Sequence, residues 1–220
     1  MFNGFTKAAS DFFWELAFNN ERAWFLEHKD EFEKTVNTPF KSLAVETAAI
    51  MAERHPEKNL TLHVSRIYRD ARRLFGRGPY KDHLWFSIKN SSALLDGPMF
   101  WFEVGAADFS YGMGFYSATP ADMQRFRDIV DANPAAFESL IDKIEQYPEF
   151  NFDGEQYARP KGSHNEKIDR WYNCKRLGVD HREDFGGAIL LPEFPQLLAD
   201  ELEKLMPLYE FCLRFYSKES

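Results

Sequence analysis

Residues 60–70 read LTLHVSRIYRD, and the pattern of the chain changes there. Ahead of this stretch apolar residues recur at helical spacing. Within it the period falls to two, with Leu62, Val64, Arg66 and Tyr68 on one side and His63, Ser65, Ile67 and Arg69 on the other. Such alternation predicts a strand with one face on a core. Three more strands are expected at 83–89, 98–106 and 108–116, joined by linkers short enough to make neighbours antiparallel. Leu84, Phe86 and Ile88, followed by Phe100, Phe102 and Val104, supply the apolar face. The opposite face carries His83, Trp85, Ser87, Lys89, Trp101 and Glu103, which suits a half-solvated surface or the wall of a cleft.

Upstream, Phe5, Ala8, Ala9, Phe12, Phe13 and Leu16 predict a first helix capped by Thr6. After Asn19-Asn20, a second helix is expected over 21–34 with Trp24, Phe25, His28 and Phe32 inward. Thr38-Pro39 reads as a cap and first-turn proline for a third helix that ends at His55-Pro56. Downstream, Thr119-Pro120 with Asp122 starts a helix and Pro134 starts another. Residues 149–166 read as a turn-rich connection, 168–172 as a short helix and 174–179 as a fifth strand. From Phe194 to Phe215 helical period persists across Pro207, predicting one kinked helix or two.

The expected fold is therefore α+β, in one domain over 1–220. A central, mostly antiparallel sheet of about four or five strands packs with N-terminal, middle and C-terminal helices. The helical part is 1–56, the sheet core 60–116, helices follow over 120–147, a mixed region over 149–191 and a C-terminal helix or helices over 193–217.

With 220 residues, 44% hydrophobic and 28% charged, the chain has the composition of an ordinary globular protein. Lys and Arg number 27 against 35 Asp and Glu, so the net charge is −8. That balance opposes a broadly basic surface for nucleic acid or anionic membrane. No apolar run approaches a membrane span, and the two cysteines, Cys174 and Cys212, sit in no metal-binding or disulfide pattern. A cytoplasmic, reduced protein is expected, without metal or cofactor: the six His show no HxH or HExxH spacing, and P-loop, GxGxxG and GxSxG motifs are lacking. Gly112-Met113-Gly114 is a lone G-x-G within a predicted strand, where it marks a bulge or tight packing.

Charge is nonetheless segregated. Residues 60–83 hold Arg66, Arg69, Arg72, Arg73, Arg77 and Lys81 against Asp70 and Asp82, a local +4 in a remainder of −12. Arg grips carboxylate or phosphate with a planar fork, and Gly76, Gly78 and Pro79 form a loop that permits close backbone approach. Asp70 among arginines stays ionised and serves better as an anchor than as an acid. The candidate ligand-binding residues are Arg66, Arg69, Asp70, Arg72, Tyr80 and Lys81, joined by Arg127 and Lys161; the ligand expected is a small phosphate or carboxylate. The competing reading makes the arginines internal salt-bridge partners in a structural or protein-interaction module. Stacking of nucleic acid on Tyr68, Phe75 and Tyr80 ranks third, against the charge balance.

These residues also carry a resemblance. N-N-x-x-x-W-F at Asn19, Asn20, Trp24 and Phe25, R-I-Y-R-D at 66–70, Arg72, and P-Y-K at 79–81 resemble the uncharacterised family called domain of unknown function 2461. Residues 112–116, Thr119-Pro120 with Arg127 and Ile129, and R-P-K-G at 159–162 keep that family's order. The sequence departs from the pattern in carrying R-R-L-F-G-R-G before P-Y-K, and residues 164–168 where Asp-His-Pro is usual. The resemblance implies a single cytoplasmic α+β domain of prokaryotic type and no established activity.

Overall fold

The computed structural model describes residues 1–70, 72, 74, 76–92 and 97–216. Arg73 and Phe75 of the basic window, part of the expected 90–97 linker and Ser217 lie outside the described residues. Helix α1 (Lys7–Phe18) buries Ala9, Phe12, Phe13 and Leu16 as its spacing demands. Its start differs from expectation: the Thr6 side chain makes no cap bond, and the Thr6 carbonyl accepts from the Ala9 N–H at 2.9 Å.

Residues 21–34 do not form one helix. α2 (Arg22–Glu27) stops at His28, and α3 (Lys29–Phe32) restarts after it. At the break the His28 backbone leaves the helical region (φ −101°, ψ 15°); its N–H still donates to the Trp24 carbonyl at 3.1 Å, while its Nδ1 lies 2.9 Å from the same carbonyl and its ring stacks on the Trp24 indole at 4.2 Å. Phe25 and Phe32 are buried, whereas Trp24 and His28 are only half-buried. A π turn, Glu33–Asn37, then runs straight into α4 (Thr38–Arg54), so Thr38 is helical rather than a cap. Pro39 has no N–H to donate, and the widened turn before it absorbs the missing rung.

One antiparallel sheet follows, built from β1 (Leu60–Val64), β2 (His83–Asn90), β3 (Pro98–Gly105), β4 (Asp108–Phe115), β5 (Asn151–Phe152) and β6 (Gly178–Asp184) in the order β1-β2-β3-β4-β6-β5. Six strands thus replace the four or five expected. β5 falls in the stretch read as a connection, because two residues are too few to show a period. β6 begins at Gly178; Cys174 makes only an isolated bridge with Gln156. The lone G-x-G is a packing device: a Cβ at Gly112 would lie 2.1 Å from the Val179 carbonyl oxygen, and one at Gly114 2.8 Å from Gly178 Cα.

The chain divides into two compact units, and β2, β3, β4 and β6 each contribute residues to both. The first comprises Met1–Ile88, Trp101–Ser110 and Arg182–Asp200; the second comprises Lys89–Phe100, Tyr111–His181 and Glu201–Ser220. In the first, the Phe102 ring meets Phe40, Phe86, Phe109 and Phe194. In the second, α5 (Pro120–Ala132) starts on a full capping box between Thr119 and Asp122. Its Phe126 packs on Phe137 of α6 (Pro134–Glu145) and on Phe211 and Phe215 of the last helix. α7 (Glu166–Tyr172) buries Ile168 and Trp171. The C-terminal stretch is two helices, α8 (Phe194–Glu203) and α9 (Met206–Phe215), with Pro207 in the first turn of the second.

Candidate functional site

The basic window lies in the first unit. β1 ends at Val64, and the alternation of faces slips there: Ser65 and Ile67 are buried, while Arg66 and Tyr68 point to solvent. The cause is visible in the ladder. The Ser65 N–H donates to the Trp85 carbonyl at 2.8 Å, but the Trp85 N–H donates to the Ser65 hydroxyl at 3.0 Å rather than to a backbone carbonyl. A side chain standing in for a rung shifts the strand by one position and reverses its faces. Arg66 and Tyr68 therefore do not share a face with Leu62 and Val64, contrary to the simple alternation.

Beyond that slip the two strands resume as a short ribbon. Tyr68 and Tyr80 form an antiparallel bridge, with Arg69 N–H donating to the Pro79 carbonyl at 2.8 Å and Lys81 N–H to the Ile67 carbonyl at 2.7 Å. Asn20 clamps the ribbon from outside: its Oδ1 accepts from Tyr80 N–H and its Nδ2 donates to the Tyr80 carbonyl, both at 3.0 Å. Gly78 makes this approach possible, since a Cβ there would stand 2.3 Å from Asn20 Cγ. The Tyr80 ring stacks on Phe25 at 4.1 Å, and burial pushes its hydroxyl pKa up.

Several of the candidate cations have internal partners. Arg69 Nε donates to the Tyr80 carbonyl at 2.7 Å, with Asp82 Oδ1 3.4 Å from its Nη2. Arg72 and Asp70 form a bidentate pair at 3.0 and 2.8 Å, and the Arg72 N–H also donates to Asp70 Oδ1. This pair is exposed and closes the loop locally. Lys81 Nζ donates to the Arg66 carbonyl at 2.8 Å and lies over the Trp85 ring. Burial, then Arg69 and Arg66, lowers the Lys81 pKa against the opposing pull of Glu103. The Arg66 guanidinium is exposed and makes no hydrogen bond or ion pair among the described residues.

Beside the ribbon is a cavity of about 410 Å³ lined by Arg22, Leu26, Tyr68, Arg69, Leu74, Pro79 and Tyr80. Arg22 and Leu26 lie four residues apart on α2 and so face the same way. Leu26 is 55% exposed and Tyr68 53%, an apolar lining left open to solvent. Arg22 makes no hydrogen bond or ion pair among the described residues. The volume falls within the range of small-molecule sites, and an apolar lining with two guanidinium groups suits a molecule with an apolar body and an anionic end.

Arg127 and Lys161 belong to the second unit. Arg127 on α5 is buried, its Nη2 3.4 Å from Gln124 Oε1. The Tyr157 ring stands 5.9 Å from Arg127 Cζ and 4.5 Å from Lys161 Nζ. Among the described residues no group of three or more His, Cys, Asp or Glu is placed to hold a metal ion. No described helix is long and apolar enough to cross a membrane.

Arg22, Leu26 and Tyr68 are additions to the residues singled out from sequence. A lone Arg on a six-residue helix gives no local signal. The hint available was that Asn20, Trp24 and Phe25 recur in one motif with 66–70 and 79–81, and the fold brings those segments together.

No curated protein matches the chain. The sequence matches the family described as conserved hypothetical protein (DUF2461) over residues 8–211, nearly its whole length, and the chain belongs to that family.

Proposed function

We propose that this protein binds a small molecule with an anionic end, a carboxylate or phosphate, in the cavity beside the 67–69/79–81 ribbon. The observation that carries the reading is Arg22: a guanidinium on the wall of an apolar cavity, without an internal partner among the described residues, next to Arg69. Arg66 and Lys81 add positive potential nearby, and Arg69 keeps donors beyond those committed to Tyr80 and Asp82. The buried cysteines, with the Cys174 thiol pushed up to about 12 by burial, suit a reducing, cytoplasmic setting.

A thermal-shift screen of carboxylated and phosphorylated metabolites tests the reading. A ligand at 100 times its dissociation constant contributes about 2.7 kcal/mol, or roughly 5–10 °C for a chain of this size. Wild type is expected to respond and Arg22→Met to respond far less. No response in wild type, or an equal one in Arg22→Met, refutes it.

Arg69 favours a second reading of the same segment, as framework rather than site. Its guanidinium is only 16% exposed and ties one ribbon strand to the other through the Tyr80 carbonyl. Arg69→Met is expected to cost about 1.5–3 kcal/mol in urea unfolding, through loss of the charge-assisted bond to the Tyr80 carbonyl, which keeps Asn20 Nδ2 as a donor. A cost under about 1 kcal/mol contradicts the framework role.

A further inference from the structure

The second unit contains a cation that the cavity of the first does not use. Arg127 is 5% exposed, and its Nη1 is enclosed without a hydrogen-bond partner among the described residues. Among the described residues no ion pair to a carboxylate compensates it, and a 3.4 Å contact with Gln124 is its one polar bond. Buried guanidinium groups are ordinarily paired, because desolvation of the charge is otherwise uncompensated. Here the Tyr157 ring takes the place of a counter-ion, and Lys161 stands over the same ring. A ring quadrupole attracts both cations, yet it cannot satisfy the directional N–H groups of a guanidinium as oxygen acceptors do.

The surrounding backbone is fixed independently of that ring. Asn173 pins its backbone: Oδ1 accepts from the N–H groups of Lys161 and Gly162 at 2.6 and 3.3 Å, and its carbonyl accepts from Tyr157 N–H at 2.9 Å. The Tyr157 side chain has no hydrogen bond among the described residues and is half-buried. Tyr157 also lines a cavity of about 580 Å³ with Gln156, Ser163, Arg170 and Asn173. A rotation about its side-chain torsions moves the ring toward that space and leaves the backbone bonds intact.

We propose that Arg127 and Lys161 form an oxyanion site gated by Tyr157. In the arrangement described, the ring covers both cations; a phosphate-sized oxyanion displaces it, accepts from Arg127 Nη1 and pairs with Lys161. This site is separate from the cavity in the first unit and does not depend on it.

Calorimetric titration with inorganic phosphate tests the proposal. Wild type is expected to bind phosphate, Lys161→Ala to bind it roughly tenfold more weakly, and Tyr157→Ala to bind it more tightly because no ring need be displaced. Arg127→Met is expected to abolish binding without lowering the melting temperature, since it replaces an unpaired buried charge with an apolar chain. The proposal is overturned if wild type binds no phosphate, if Arg127→Met still binds it, or if Arg127→Met melts lower than wild type.

Discussion

Replacement of Asn20 by Ala tests the clamp that holds the cavity's wall. Asn20 makes two hydrogen bonds to one peptide unit, accepting from Tyr80 N–H and donating to the Tyr80 carbonyl, each at 3.0 Å. Each such bond contributes about 1 kcal/mol net, and an orphaned buried N–H costs roughly 1–3 kcal/mol more. The Tyr80 carbonyl keeps Arg69 Nε as a donor, so only its N–H is orphaned. The expected loss is therefore about 3–5 kcal/mol, a fall in melting temperature on the order of 6–20 °C. Asn20→Asp sharpens the test: it keeps the acceptor for the N–H but sets a carboxylate oxygen against the Tyr80 carbonyl, so it is expected to be at least as destabilising as Ala despite equal size. Urea unfolding with an unchanged slope and a lower midpoint measures both. A loss below about 0.5 kcal/mol in Asn20→Ala refutes the clamp.

Further outcomes follow from the same physics. Gly112→Ala places a Cβ 2.1 Å from the Val179 carbonyl oxygen and 2.9 Å from Asp180 Cα, both backbone, so a cost of roughly 3 kcal/mol or more is expected in thermal unfolding. Gly76→Ala, at φ +78° with open space around it, is expected to cost only about 1 kcal/mol. Lys81 has a lowered pKa in the folded protein, so the native state holds fewer protons than the unfolded chain between that value and about 10.5. Its charge therefore costs stability fully at neutral pH, and wild type recovers that cost as pH rises toward 10.5. Lys81→Met is expected to be at least as stable as wild type at pH 7, with the difference turning against the variant by pH 10.5. Urea midpoints at the two pH values check this, and an advantage that grows with pH contradicts it.

The strand spacing, the change of period at Leu60 and the Thr119 capping box were legible because each rests on neighbours in sequence, and the G-x-G because paired glycines within a strand mark close approach. The reversal of faces at Ser65 was not, since alternation assumes that every rung of the ladder is made by backbone, and a hydroxyl replaces one here. The two-strand edge at 151–152 is too short to announce itself. The break at His28 falls inside an uninterrupted run of helical spacing, which periodicity alone reads as one element. The candidate site divides in the same way. A cluster of Arg in one window is visible in composition, but which of them are committed to internal carbonyls and carboxylates is settled by tertiary contacts. Arg22 and Arg127 mark the two extremes: one is an isolated cation that the fold sets against an apolar cavity, the other a helix residue that the fold buries without a counter-ion.

The anion-binding account rests most directly on Arg22. Calorimetric titration of wild type and Arg22→Met with benzoate, an apolar ring bearing one carboxylate, isolates it. A charge-assisted hydrogen bond contributes about 1.5–3 kcal/mol, so the account predicts saturable binding to wild type that weakens roughly 10- to 150-fold in Arg22→Met. Absence of binding to wild type, or equal affinity in the two proteins, contradicts it.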